Sequence, residues 1–176
     1  MNIHQQLERP FPANRISWRV GATTKDGTRG IPLAYIDARD VMDRLDKVIG
    51  PASWQCRYPT DYNGLLICEI GIRASFLGIP VRPDSLGTEW VWKANGAGDT
   101  QVEAEKGKAS DAFKRAAVLW GIGRYLYALP NQWVELENRK ISKASLIMLG
   151  ETLPHWATPT GFDKIMAERA AREENK

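Results

Sequence analysis

Cysteine and histidine are scarce in this chain of 176 residues. The two cysteines are Cys56 and Cys68, the two histidines are His4 and His155, and no CxxC pair is present. Two cysteines do not make a disulfide framework, and this set does not supply the usual ligands of a structural zinc site. We therefore expect no metal centre and a protein of a reducing compartment such as the cytoplasm.

Long apolar runs and secretory features are also missing. The longest stretch without Asp, Glu, Lys or Arg is Thr152–Phe162, which has 11 residues and two prolines, whereas a membrane-spanning helix needs ~20 apolar residues. The N-terminal region carries charged residues with no apolar core between them, so we expect no signal peptide. The resulting prediction is a cytoplasmic protein without a membrane partner.

The sequence also lacks the signatures of common catalytic sites. Gly107-Lys108 is followed by Ala109, where a Walker A loop needs Ser or Thr, and Val102 stands where its first Gly belongs. The Glu-x-Lys triplet at residues 174–176 lies outside any predicted strand, and the two distant histidines form no persuasive triad. We therefore predict a protein that is not an enzyme and needs no cofactor.

The composition is that of an ordinary globular protein. Hydrophobic residues make up 43% of the chain, charged residues make up 26%, and the net charge is +3. A chain of this length buries roughly two thirds of its unfolded surface and folds without a disulfide or a metal. Because the net charge is small, any surface for a polyanion must come from a local concentration of cations.

Alternating and helical periodicities predict an α+β fold. Apolar alternation indicates a hairpin over residues 16–35, turning at Asp26-Gly27, and a meander over residues 54–92. Helical spacing indicates a helix after Asp37, a long helix ending near Trp120 and a short helix over residues 142–149. We therefore expect an antiparallel β-sheet of hairpin and meander packed on one long α-helix.

Proline and charge patterns suggest where this domain begins and ends. Residues 1–14 are polar, contain two prolines and are predicted to be an N-terminal arm. Residues 15–150 hold the predicted strands and the long helix and form the main domain. Residues 151–176 contain two further prolines and a charged, helix-forming end, and are predicted to be a loosely held C-terminal tail.

The long predicted helix carries a row of basic residues. Lys106, Ser110 and Lys114 lie at i, i+4 and i+8 on one helix face, and Arg115 is adjacent. Cations spaced by about 6 Å along a helix fit consecutive phosphates of an extended strand. Spacing alone favours the alternative of a salt-bridged solvated face, since the charged residues Lys108, Asp111 and Arg115 lie at i, i+3 and i+7.

The aromatic residues around this helix lie in apolar stretches. We therefore expect core packing more than base stacking from these side chains, which are Trp90, Trp92, Trp120, Tyr125 and Tyr127.

Two stretches of the sequence resemble a known family. They are KASDAFKRAAVLWGIGRYLY, over residues 108–127, and YIDARDVMDRLDKVIGPASW, over residues 35–54. Both are similar to segments of the single-strand annealing proteins of the Rad52 superfamily, above all the phage and bacterial branch that includes the Sak recombinases. The resemblance extends over roughly residues 15–133.

The resemblance implies a fold, an activity and a set of partners. The expected fold is a curved antiparallel sheet over a long helix, with subunits assembled into an oligomeric ring. The expected activity is ATP-independent annealing of single-stranded DNA in homologous recombination and double-strand break repair, with the DNA backbone in a basic groove and the bases exposed. The implied partners are single-stranded DNA, annealed intermediates and further copies of the chain in a bacterial cytoplasm. A single-strand-binding protein or an exonuclease is a candidate further partner.

The resemblance also implies which residues line the groove. Lys114 and Arg115 match the Lys-Arg pair of the family's long helix, and Lys106 matches a basic position before it. Asp40 and Val118 stand where other members have Arg. Arg39, next to Asp40, is therefore taken as the basic residue at the start of that helix. With the hairpin cations added as a flank, the predicted DNA-binding residues are Lys114, Arg115, Lys106, Arg124, Arg39, Lys108, Lys25 and Arg29.

Two other function classes stay open at this point. A plain single-stranded DNA-binding protein would protect DNA without annealing it, and a nuclease of the same pathway would need magnesium-dependent chemistry. Annealing assays and digestion assays on labelled strands separate the three.

Overall fold

A computed structural model describes residues 1–61, 64–82, 89–97 and 105–174. The helices in this part of the chain are α1 (Ile3–Glu8), α2 (Ala38–Ile49), α3 (Glu105–Leu119), α4 (Lys143–Glu151) and α5 (Pro159–Glu174). The strands are β1 (Ser17–Thr23), β2 (Arg29–Tyr35), β3 (Trp54–Arg57), β4 (Ile67–Arg73), β5 (Trp90–Gly96), β6 (Val134–Glu137) and β7 (Lys140–Ile141). Helices and antiparallel strands are both present, which confirms the predicted α+β class.

The chain divides into two compact units whose segments alternate along the sequence. The first unit contains Met1–Glu8 and Ala38–Ile122, and the second contains Arg9–Asp37 and Gly123–Lys176. The predicted hairpin and meander therefore fall into separate units and separate sheets within the described residues. The predicted arm, main domain and tail, with boundaries at residues 14 and 150, stay a prediction.

The first unit is built on the predicted meander. Its three strands pair antiparallel in the order β3-β4-β5. Alternate residues of β4, namely Cys68, Ile70 and Ile72, are fully buried, because side chains of a strand point in turn to its two faces. This apolar face packs against α3.

Helix α3 lies close to the sheet because its buried stripe consists mostly of alanine. Ala112, Ala116 and Ala117 are fully buried, and Phe113 between them is 1% exposed. The Phe113 ring contacts Trp54 of β3, with ring centroids 6.1 Å apart. Trp120, just after the helix, donates its indole N–H to the Ile70 carbonyl at 3.1 Å. Helical spacing predicts an apolar stripe from Val102 to Trp120, and the structure confirms it at these positions. Val102, and Asp99 or Thr100 as the predicted cap of the helix, lie outside the described residues.

Helix α2 completes the first unit. It begins after Asp37, as predicted, ends before Gly50, and buries Val41 and Leu45. Its Arg44 guanidinium donates to the carbonyls of Gln6 and Leu7 at 3.0 and 2.9 Å. Backbone carbonyls at the end of α1 have no partner within the helix, so this arginine stabilises the packing of α1 on α2.

The second unit contains the predicted hairpin. Its strands follow the order β1-β2-β6-β7, and β1 and β2 are antiparallel partners. At the turn, Gly27 has a φ of 70°, which glycine adopts readily. The Asp26 carboxylate accepts hydrogen bonds from the hydroxyl of Thr24 and from the amide and hydroxyl of Thr28, and these bonds lower its pKa.

Two further helices belong to the second unit. Helix α4 agrees with the predicted short helix, and its first turn is capped by the Ser142 hydroxyl, which accepts from the Ser145 amide at 3.1 Å. Helix α5 has 16 residues, as against 15 in α3, so α3 is not the one long helix of the described chain. The Arg9 guanidinium binds both carboxylate oxygens of Asp163 in α5, at 2.8 and 2.7 Å. Every helix in the described ranges falls short of the length and apolarity of a membrane span.

The packing of α3 on the meander predicts a large difference between two substitutions in that helix. Phe113→Ala is expected to lower the free energy of unfolding by ~3–5 kcal/mol, because it leaves a cavity beside Trp54. Leu119→Ala, at a position 38% exposed, is expected to change it by about 0.5 kcal/mol. Urea titrations followed by circular dichroism measure both values. Equal effects of the two substitutions would contradict this packing.

Candidate nucleic-acid interface

The exposed side of α3 carries three of the predicted cations. Arg115 is exposed, and Lys108 and Lys114 are half-buried, on the side of the helix away from its alanine stripe. Lys106 belongs to the first turn of α3, but its side chain is not among those that the structure describes. The first unit therefore brings Lys108, Lys114 and Arg115 together on one helix.

Arg115 has a carboxylate partner on its own helix. Its Nε lies 3.1 Å from Asp111 Oδ2, one turn earlier, and both side chains are well exposed. The alternative of a salt-bridged face is thus confirmed for this pair. An exposed ion pair at i and i+4 contributes only about 0.3–0.5 kcal/mol, so a stronger anion can replace Asp111 at little energetic cost.

Helix α2, which packs against α3, carries another of the predicted cations of the first unit. Arg39 is exposed, whereas the neighbouring Asp40 is only 4% exposed. Of the two residues at this position, the arginine is therefore the one on the surface. Val118, the other position where the sequence departs from the family pattern, is half-buried on α3.

The remaining predicted cations lie in the second unit. Lys25 is exposed in the hairpin turn, and Arg124 is exposed in a short 3₁₀ helix that follows Gly123. Arg29 at the start of β2 donates from Nη2 to the Trp133 carbonyl at 3.1 Å. Their role as DNA contacts stays a prediction.

The two tyrosines beside Arg124 differ in their surroundings. The Tyr125 hydroxyl accepts a hydrogen bond from the Phe11 amide at 3.0 Å, and the residue is half-buried, as its predicted packing requires. Tyr127 is 77% exposed. The expectation of core packing is therefore wrong for Tyr127, because the short helix turns this side chain away from the second unit.

Polar residues of β5 hold the end of α3, a role that the sequence pattern did not predict. Lys93 donates from Nζ to the Leu119 carbonyl at 2.9 Å and lies 4.3 Å from the centroid of the Trp120 ring. Asn95 donates from Nδ2 to the Arg115 carbonyl at 3.4 Å. A cation at the C-terminus of a helix is favourable because the unpaired carbonyls there carry partial negative charge. We assign Lys93 a structural role in fixing α3 on the sheet.

The opposite face of the same sheet carries four side chains that we call the Arg–Trp face. Directly opposed residues of neighbouring strands share a face, and the register places these side chains on the face turned away from α3. The guanidinium of Arg57 lies 4.1 Å from the centroid of the Trp92 ring, and that of Arg73 lies 5.4 Å from Trp90. The members of the Arg–Trp face are Arg57, Arg73, Trp90 and Trp92.

Trp90 and Trp92 are half-buried and do not belong to the core under α3. The prediction of core packing is therefore wrong for these two residues and right for Trp120, which is 4% exposed. The period of two along β5 could have indicated that these two tryptophans lie on the other face. Val91 and Lys93 point to the helix, so Trp90 and Trp92 point away from it.

The two cysteines are free thiols on β3 and β4. Cys56 is exposed and Cys68 is buried, and burial raises the pKa of the Cys68 thiol to about 12. The pKa of the adjacent Tyr58 is also raised, chiefly by burial. Among the described residues, no group of His, Cys, Asp and Glu side chains is arranged to hold a metal ion.

Comparison with known proteins gives two kinds of match. Residues 1–61 and 68–144 match the family model of the Rad52/22 family double-strand break repair proteins. The single-stranded DNA-binding protein DdrA of Deinococcus deserti is 38% identical over 158 residues, which cover 90% of this chain and 71% of that protein. DdrA of Deinococcus radiodurans is 36% identical over 158 residues, which cover 90% of this chain and 68% of that protein. The family resemblance predicted from the two motifs is confirmed.

Proposed function

The chain belongs to the Rad52/22 family of double-strand break repair proteins, and on that premise we propose that it binds single-stranded DNA and anneals complementary strands without nucleotide hydrolysis. The observation that carries the proposal is the set of cations on the exposed side of α3, within the segment that matches the family. Two relatives that are named single-stranded DNA-binding proteins, each aligned over 90% of this chain, support the same ligand.

The phosphate backbone is the part of the DNA that these cations suit. Lysine and arginine bind phosphate oxygens whatever the base sequence, and such contacts position a strand without reading it. Lys114 and Arg115 are the central contacts in this proposal. Lys106 and Lys108 on α3 and Arg39 on α2 are further proposed contacts in the first unit, and Lys25, Arg29 and Arg124 are further proposed contacts in the second unit. A strand held by its phosphates keeps its base edges available for Watson–Crick pairing.

Binding at Arg115 exchanges one anion for another. In the isolated chain its guanidinium is paired with Asp111 at 3.1 Å. A DNA phosphate then takes the place of a weakly held carboxylate, and the arginine is already oriented on the helix. The exchange gives a contact that forms and breaks readily, which suits a protein that must release the annealed duplex.

The chemistry proposed here is non-enzymatic. The sequence offers no phosphate-cradling loop and no paired histidines, and annealing needs neither, since the free energy comes from base pairing. A DNA-protecting binder without annealing activity is the alternative function, and a nuclease is the third.

We also propose that the protein works in the cytoplasm, with a single-strand-binding protein or an exonuclease as a candidate partner. Its assignment to the Sak-type phage and bacterial branch of the family stays a prediction.

The first test removes the two central cations. Lys114→Ala combined with Arg115→Ala is expected to weaken binding of single-stranded DNA at least a hundredfold, since each charged hydrogen bond contributes roughly 1.5 kcal/mol or more. The slope of log affinity against log salt is expected to fall by about 1.4, or ~0.7 for each phosphate that the protein no longer neutralises. Fluorescence anisotropy with a labelled oligonucleotide at several salt concentrations measures both quantities.

A matched double variant controls for the loss of charge. Lys164→Ala combined with Arg169→Ala removes the same two charges from exposed positions of α5 and is expected to keep wild-type affinity and salt slope. If both double variants lose affinity for single-stranded DNA to the same extent, or if the folded α3 variant binds it like the wild type, the assignment of the phosphate contacts to α3 is wrong.

The second test separates annealing from protective binding. Without ATP and magnesium, the protein is expected to accelerate the pairing of complementary oligonucleotides, and to do so equally for several pairs whose sequences are unrelated to one another. The acceleration is expected to decline as the salt concentration rises, because counterion release drives phosphate binding. A fluorescence-quenching assay reports the pairing rate. Binding that slows pairing would favour the protective function, and loss of labelled strand on adding magnesium would favour a nuclease.

The third test concerns assembly into a ring. One chain presents few cations, so tight binding of a long strand requires many copies whose sites act together. Light scattering in reducing buffer is expected to give a mass several times the 19.8 kDa of the chain, held by non-covalent contacts. A monomer that persists at micromolar concentration, with and without DNA, would contradict the ring.

A further inference from the structure

The Arg–Trp face is a second surface of the first unit, separate from the cations of α3. Helix α3 packs on the face of the meander that contains Ile70 and Lys93, and the Arg–Trp face lies on the other side of the same strands. Its four side chains form two cation–π pairs, and the centroids of the two indole rings are 6.1 Å apart, with the rings tilted by 37°. None of these side chains supports the packing of α3.

Trp92 lies flat against the sheet because the residue opposite it is Gly71. A Cβ atom on Gly71 would stand 2.9 Å from the Trp92 ring, so only glycine permits this approach. The guanidinium of Arg57 lies over the same ring, 4.1 Å from its centroid. The Arg57 guanidinium thus lies over an indole ring that itself lies against the strand backbone.

Arg57 is held in place and still accessible. Its Nε donates to the Glu69 carboxylate, which lies directly opposite on β4, and the Arg57 side chain is 60% exposed. Hydrogen bonds to a guanidinium are made by N–H groups in its plane. The ion pair therefore fixes the orientation of the planar group and leaves its flat face available for stacking.

Arg73 adds a cation that is not neutralised by a carboxylate within the described residues. Its guanidinium lies over Trp90, and its buried Nε has no hydrogen-bond acceptor in that part of the chain. The rest of the face is polar or small, with Gln55 and Ala94 beside the two pairs. A surface of indoles and guanidinium groups with one cation in excess suits an anionic partner that has flat π-systems.

We propose that the Arg–Trp face binds unpaired nucleobases of single-stranded DNA by stacking, with the Arg57–Trp92 pair as the main platform. The proposal rests on the proposed function for its ligand, but it assigns a base contact where the cations of α3 make phosphate contacts. Stacking on aromatic rings and on guanidinium planes tolerates any base. The face therefore adds affinity that depends on the presence of bases and not on their sequence.

The test compares a normal strand with one that has no bases. Full-length protein is titrated with oligo(dT) and with an abasic phosphodiester oligomer of equal length. The wild type is expected to prefer oligo(dT) by at least about fivefold, the effect of one stacked base. Arg57→Lys keeps the charge but removes the planar group, and it is expected to abolish most of this preference. Arg172→Lys, the same change at an exposed position of α5, is expected to preserve it.

The outcomes distinguish this proposal from the proposed function. If the wild type binds both oligomers equally, stacking is overturned while phosphate binding stands. If it binds neither, the proposed function fails and the stacking proposal fails with it. If Arg57→Lys leaves the preference unchanged but alters the mass of the assembly in light scattering, the face is a contact between copies of the chain and the proposal is wrong.

A second measurement locates the bases directly. Oligonucleotides that contain 5-iodouracil form covalent adducts with aromatic side chains stacked on them when irradiated. Because Trp92 lies between the strand backbone and Arg57, mass spectrometry of the digested complex is expected to find adducts on members of the Arg–Trp face or on their immediate neighbours along β3 and β5. Adducts found only on other residues, with the preference for oligo(dT) intact, would overturn the assignment to this face.

Discussion

The close contact between α3 and the β4–β5 strands determines both candidate surfaces of the first unit. Alanines on α3 allow the helix to approach the sheet, and Phe113 and Trp120 fill the space on either side of them. Because this contact occupies one side of the helix, the cations are left on the other. Because it occupies one face of the sheet, the arginines and tryptophans of the Arg–Trp face are left outside. A single packing arrangement thus produces two surfaces of different chemistry.

Local patterns predicted the elements well and their association less well. The Asp26-Gly27 turn, the meander and the apolar stripe of α3 each follow from residues close together in the sequence, and the structure contains all three. The separation into two sheets depends on β2 pairing with β6, where Arg29 lies opposite Glu135. Neither strand's periodicity specifies a partner so distant along the chain. The sequence pattern therefore could not show that the hairpin and the meander lie in separate sheets.

The candidate site shows the same limit at the level of side chains. Helical spacing correctly placed Lys114 and Arg115 away from the core, and it allowed the Asp111–Arg115 pair as an alternative. It could not show that Lys93, which hydropathy alone would assign to solvent, binds a carbonyl at the end of α3. Nor could it show which face of β5 is covered, because that depends on where a helix far along the chain comes to lie.

Weak local ion pairs are consistent with a protein that must hold and release a polyanion. Arg115 has a carboxylate partner one helical turn away, and Arg57 has one directly across the sheet. Neither guanidinium is therefore a bare charge in the isolated chain. Exposed pairs of this kind contribute little to the free energy of folding, yet they keep each planar group in a defined orientation. In the proposed function, phosphate displaces Asp111, whereas stacking leaves the Glu69 pair intact. The two surfaces would therefore respond differently to salt, since phosphate binding releases counterions and stacking on a paired arginine does not.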